Sequence, residues 1–119
     1  MGTVHSRVRV ANPASRGLTE ELELLVDTGA TFTVVPTELW LRLGLTAEFT
    51  RRLRTADGRV LERGQGNAYV EVNGLAGVVP VIEGGNGDLP VLGVTTLEIL
   101  GLAVDPISQI LVPTEHLYL

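Results

Sequence analysis

One aspartate in this chain stands where a carboxylate could do chemistry. In the stretch from Glu21 to Pro36, an apolar strand pattern ending in Leu24-Leu25-Val26 runs straight into Asp27, then into Thr28-Gly29-Ala30, before Val34-Val35 resumes the apolar character. An ionised carboxylate is expensive to bury without partners, so its place at the end of such a strand marks it. Gly29 lets the backbone turn sharply and approach closely, and the Thr28 hydroxyl can bond backbone groups and lock the turn. The expected result is a carboxylate held rigidly at the end of a buried strand, its oxygens aimed into a cavity, as general acid-base chemistry requires. The plainer reading is a turn residue bonding its own backbone, the usual fate of Asp before a glycine-containing turn.

The remaining reactive side chains form no competing constellation. Asp57 and Asp105 fall in turns and Asp88 in a glycine-rich loop, and none of the three is followed by Thr-Gly. There is no cysteine, which excludes disulfides and thiolate metal sites. His5 and His116 are far apart and have no companions at ligand spacing, so neither a metal nor a cofactor is expected. Ser6, Ser15 and Ser108 lie in no nucleophile-elbow context, and Gly84 to Gly87 lacks both phosphate-loop and dinucleotide spacings. Net charge is −5, with no basic block beyond the scattered Arg51, Arg52 and Arg54, so nucleic acid is not an expected partner. Those arginines read as a solvated strand face or, alternatively, as the flank of a cleft that favours acidic substrates.

The elements that must position Asp27 read as mostly strands. With 119 residues, 45% hydrophobic, 14 Gly and 6 Pro, the composition favours a single β-rich domain spanning residues 1–119. No apolar segment reaches membrane-spanning length and no basic-then-apolar leader is evident, which predicts a soluble, cytoplasmic protein without a membrane partner. Residues 3–11 alternate as a half-buried strand, and 12–17 are turn chemistry. Glu20 to Val26 is the strand that delivers Asp27. Pro36 to Gly44 reads as a short helix burying Leu39, Trp40 and Leu43. Asp57-Gly58 between extended segments, from Arg51 to Glu62, signals a hairpin whose polar arms project from the core. Residues 67–73 and 75–82 pair around Asn73-Gly74, and Pro90 to Gly93 is a short buried strand. Thr95 to Gly101 reads as a helix with Thr95 at its N-cap and Gly101 at its C-cap. Leu102 to Val104 and Gln109 to Val112 are strands around a turn at 105–108, and residues 114–119 form a tail, frayed or paired with a partner chain.

Asp27-Thr28-Gly29-Ala30, entered from an apolar strand, resembles the active-site signature of the retroviral-type (retropepsin-like) aspartic proteases. The order of elements is similar too, from about residue 20 to 113: Asp-Thr-Gly loop, projecting hairpin or flap, apolar-apolar-Gly strand, helix. The resemblance implies an all-β, closed barrel-like fold with one or two short helices, active as a symmetric dimer. It implies Asp27 as the catalytic carboxylate and Thr28 as the residue whose hydroxyl braces the two active-site loops against each other. Gly29 and Ala30 would help line the substrate floor, with Thr33 also supporting that loop. Thr55, Ala56, Asp57 and Gly58 fall at the flap tip, and Leu92-Gly93 matches the element behind the active-site loop. The chain departs from the viral pattern in carrying Val94 where Arg usually follows that glycine, and Ala56-Asp57-Gly58 in place of a glycine-rich tip. Its 36–44 and 102–113 segments look more like the cellular and bacterial relatives.

Peptide hydrolysis needs a water deprotonated while the amide carbonyl is polarised, and one carboxylate cannot do both. Two carboxyls sharing a proton can, and their mutual repulsion makes the pair titrate as a unit in the acidic range. With one Asp-Thr-Gly per chain, the second Asp27 would come from a symmetric partner across an isologous interface. The expectation is a homodimeric aspartic endopeptidase acting on extended peptide or unfolded protein. The alternative is a protease-like fold serving only as a dimeric binding or assembly module, and a ligand-binding monomeric β-barrel stands third.

Overall fold

The computed structural model describes residues 3–115. Its centre is a ring of six strands. β1 (His5–Asn12) pairs antiparallel with β2 (Ser15–Asp27), whose end runs parallel to β7 (Val91–Gly93). β7 meets β3 (Thr33–Pro36) at Val34 opposite Val91, and β3 runs parallel to β6 (Leu75–Gly84). β6 pairs with β5 (Val60–Val72), which closes the ring on β1 through Arg9 to Ala11 opposite Tyr69 to Glu71. β4 (Phe49–Arg54) hangs on β5 alone, outside the ring. Two short helices, α1 (Thr37–Arg42) and α2 (Val94–Leu100), follow β3 and β7, and β8 (Leu102–Val104) pairs with β9 (Leu111–Pro113). The fold is thus mostly β, a closed ring of strands with two short helices, as the resemblance implies. Among the described residues, no helix is long and apolar enough to cross a membrane.

Alternation explains the ring. Val8 and Val10 are fully buried while Arg7 and Arg9 on the other face are exposed, and the same two-residue period buries Ala68, Val70 and Val72 on β5. Together with Leu24, Val35, Val79, Val81 and Leu92 these side chains make one core, each valine or leucine contributing about 1.5–3 kcal/mol of burial. Leu39, Trp40 and Leu43 close the ring on one side, as their spacing predicts, and Leu97 and Leu100 of α2 pack against the same core.

Several boundaries differ from the sequence expectation, each for a physical reason. The first turn shrinks to Pro13-Ala14, because the Asn12 side chain accepts the Ala14 N–H (2.9 Å) and donates to the carbonyls of Leu43 and Gly44 (3.1 and 3.0 Å). Cross-bridging by Asn12 lets β2 begin at Ser15. The hairpin arm after Asp57 and the later strand at 67–73 are one continuous β5, pairing first with β4 and then with β1 and β6. α2 begins one residue early, with Gly93 at its N-cap and no side-chain cap, so Thr95 does not cap it. Gly101 does end the helix in the left-handed conformation, at φ 75°. Gln109 also sits at positive φ (58°) in the last turn, which delays β9 to Leu111. Of the tail, Thr114 donates its N–H to Gly101 (2.8 Å), while residues 116–119, with His116, lie outside the described residues.

Candidate active site

Asp27 is the last residue of β2, in parallel register with Gly93 at the end of β7. The loop that follows is pinned from below by the start of α2: the N–H groups of Val94 and Thr95 donate to the carbonyls of Ala30 and Thr31 (2.8 and 3.0 Å). Within the loop, the Ala30 N–H donates to the Asp27 carbonyl (3.1 Å), and the Gly29 N–H donates to Asp27 Oδ1 (2.9 Å). The carboxylate is therefore oriented by its own loop. In the single chain it is exposed, not enclosed in a cavity as its apolar approach suggested. Gly29 lies in the turn after Asp27 without a positive φ, and it supplies room, since an added Cβ would lie 3.3 Å from Asp27 Oδ1.

Beneath this loop lies a dry polar brace. Thr33 and Thr96 are both fully buried, their hydroxyls hydrogen-bonded at 2.6 Å, and Thr33 Oγ1 also accepts the Gly93 N–H (3.0 Å). The three groups tie β3, β7 and α2 together directly under the Asp27 loop. Gly93 has no freedom to change, because a Cβ there would meet the Phe32 carbonyl at 2.4 Å. Leu92 next to it is fully buried. Thr33 is thus the bracing hydroxyl within the chain, whereas Thr28 is exposed and its hydroxyl has no partner among the described residues. Thr96 escaped the sequence reading; its only signal was a threonine one helical residue past the expected cap.

The hairpin tip is a separate construction. The Thr55 N–H donates to the Arg59 carbonyl (2.8 Å), the Gly58 N–H to the Thr55 carbonyl (3.0 Å), and Gly58 adopts φ 89°. The Asp57 carboxylate accepts from the Thr55 hydroxyl and from Arg59, with Arg59 Nε 3.0 Å from Oδ2. The Thr55 hydrogen bond, then the Arg59 backbone N–H, hold the Asp57 carboxyl below the usual carboxylate range. Asp57 is a turn residue, in line with Asp-Gly hairpin chemistry. Ala56 is exposed between them.

Two depressions are lined by the residues that follow Asp27. Gly29, Ala30, Thr31 and Phe32 form the floor of a groove of about 470 Å³, walled by Arg51 to Arg54 of β4 and by Val34 and Ile82. The tip residues Thr55, Ala56, Asp57 and Gly58 stand beyond this lining. On the other side Thr28 lines a recess of about 840 Å³ with Val94, Leu97, Leu102, Val104 and Pro106. The structure thus brings Asp27, Thr28, Gly29, Ala30, Thr33, Leu92 and Gly93 into one unit, with Thr28 lining the second recess, and leaves the hairpin tip outside it. Among the described residues, no group of three or more His, Cys, Asp or Glu side chains is arranged to hold a metal.

A comparison with the curated proteins finds no match. The sequence model of a family described as aspartyl protease, however, matches residues 8–96, from β1 through the Asp27 loop, the β4–β5 hairpin and β7 into α2. With that match over most of the length and a closed, mostly-β ring beneath it, the chain belongs to the aspartyl protease family of the retropepsin-like clan.

Proposed function

We propose that the protein is an aspartic endopeptidase in which two Asp27 carboxyls, one from each subunit of a homodimer, activate water against a peptide bond. The observation that carries this reading is the setting of Asp27. Its carboxylate is exposed and oriented by the Gly29 N–H, on a loop pinned to α2 and braced by Thr33 and Thr96. No other aspartate of the chain is comparably placed: Asp57, Asp88 and Asp105 each bond the backbone or side chains of their own turns or a neighbouring arginine. A second carboxyl therefore has to come from a second chain.

Surface chemistry supports that arrangement. The recess beside Thr28 is lined by Val94, Leu97, Leu102 and Val104, and Ile107 and Ile110, in the same turn as Pro106, are exposed. An apolar face of this kind next to a half-complete site is covered most economically by a second copy related by a two-fold axis. In the assembled site, the ionised Asp27 takes a proton from water while the neutral one donates to the substrate carbonyl. Substrate lies extended in the groove, where the outer edge of β4 carries backbone groups that no strand among the described residues pairs.

A silent binding module would use the same Asp27–Gly29 bond merely to shape a turn. Cleavage of an unstructured protein such as casein, scanned from about pH 4 to 7 beside Asp27→Asn, separates the two. Activity with an acidic optimum that vanishes in the folded variant supports the enzyme, and a folded wild type that cuts nothing overturns it.

A further inference from the structure

We infer that Arg51 is a specificity-determining residue, and that the groove prefers substrates carrying a glutamate or aspartate side chain close to the scissile bond; this rests on the protease reading above. The argument starts from how the chain disposes of its positive charge. It has 9 Lys and Arg against 14 Asp and Glu. Arg9, Arg42, Arg59 and Arg63 are each engaged by a carboxylate, at 3.6 Å or less. The three arginines on the groove wall, Arg51, Arg52 and Arg54, make no ion pair among the described residues. Strand alternation puts half-buried Arg51 on one face of β4 and exposed Arg52 and Arg54 on the other, so Arg51 is the guanidinium turned to the groove floor, and the other two contribute to the local positive field.

Arg51 is distinguished by being built in. Its Nε donates to Oε1 of Gln65 at 2.7 Å, and Gln65 is a buried polar side chain, only 8% exposed. Its guanidinium lies over the Phe32 ring at 5.5 Å and the Phe49 ring at 5.0 Å. Phe32 belongs to the groove floor, so the cation is held at the floor by stacking and by one neutral hydrogen bond. A guanidinium has five N–H donors, and the two terminal nitrogens of Arg51 have no partner among the described residues. They present a preorganised fork to a carboxylate, and holding the fork in advance lowers the ordering cost of binding one. Arg52 and Arg54 add longer-range attraction. Phe32 and Val34, both half-buried, meanwhile give the same groove an apolar patch. The favoured substrate combines an apolar side chain with a nearby acidic one.

The test uses fluorescent peptides with an apolar-apolar central pair and one flanking position scanned as Glu, Gln or Lys. Both kcat/KM and binding by fluorescence anisotropy are read. For the best position, wild type should favour Glu over Gln by about tenfold and over Lys by more, and the preference should shrink as salt is raised. In Arg51→Gln the Glu-to-Gln ratio should fall to about one, while Arg51→Lys, which keeps charge but loses the fork, should retain roughly threefold. A stability change alone would alter all peptides together and leave the ratio intact. Should Arg51→Gln not fold, the wild-type ratios and the Arg52→Gln/Arg54→Gln pair still decide. Cleavage of the Glu, Gln and Lys peptides at equal rates overturns this inference and leaves the protease standing. Absence of cleavage with Glu-selective binding that Arg51→Gln abolishes overturns the protease and upholds the acidic groove. No cleavage and no charge-dependent binding overturns both.

Discussion

The Asp27 loop and the β4–β5 hairpin face the same groove but are held in opposite ways. The loop is fixed by long-range contacts: Thr33 to Thr96, Gly93 against Phe32, and backbone bonds from α2. Among the described residues the hairpin tip is hydrogen-bonded by its neighbours in sequence, half-buried Thr55 and exposed Asp57 and Arg59. A segment whose bonds are local and solvent-exposed opens at low free-energy cost, whereas one braced by buried groups opens only with the domain. The contrast gives the site a rigid floor that orients a carboxylate and an upper wall that can admit a chain.

Breaking the floor should therefore cost most. Gly93→Ala drives a methyl into the Phe32 carbonyl, and urea unfolding should show a loss of about 3 kcal/mol or more, or no folded protein at all. Thr33→Val removes a hydroxyl while leaving the Thr96 hydroxyl and the Gly93 N–H buried and unpaired. It should cost about 2 kcal/mol in the same measurement, with activity reduced further than stability alone explains.

The next effect lies between floor and tip. Arg63 of β5 pairs with Asp88 of the glycine loop at 2.7 Å, and the Gly85 N–H donates to the same carboxylate (2.6 Å). The Arg63 hydrogen bond, then the Gly85 N–H, hold the Asp88 carboxyl below its ordinary value. A depressed folded-state pKa means the contribution is complete above the unfolded value, near ~3.9, and is lost as pH falls through the folded one. Asp88→Asn should cost about 1 kcal/mol at pH 7, and its stability should fall less steeply than wild type below about pH 4. At the tip, Asp57→Asn should leave the urea midpoint where it is, since its carboxylate is fully exposed. Any change it makes should appear in kcat/KM.

How much of this was legible in the sequence follows the same division. Local features read well: the strand into Asp27, the Asp57-Gly58 turn, the buried face of α1, and Gly101 as the end of α2. The closed ring was expected only through the family resemblance and not from the residues themselves, because its parallel pairings join residues far apart in the chain, such as Asp27 with Gly93 and Pro36 with Gly84. Contacts of that range leave no periodic trace in sequence. For the same reason Thr33 could be placed in support of the Asp27 loop, but its partner Thr96 on α2, 63 residues away, could not be read. Arg51 looked like an ordinary charged strand position until Gln65 and the two phenylalanines were seen around it.

The central claim is that one active site is made from two Asp27 residues in two chains. Mixing wild type with Asp27→Asn at fixed total concentration, after exchange of subunits, tests it most directly by peptide cleavage rate. If both carboxyls are required, activity follows the square of the wild-type fraction. Activity falling in simple proportion to that fraction would mean each chain works alone, and would contradict the account.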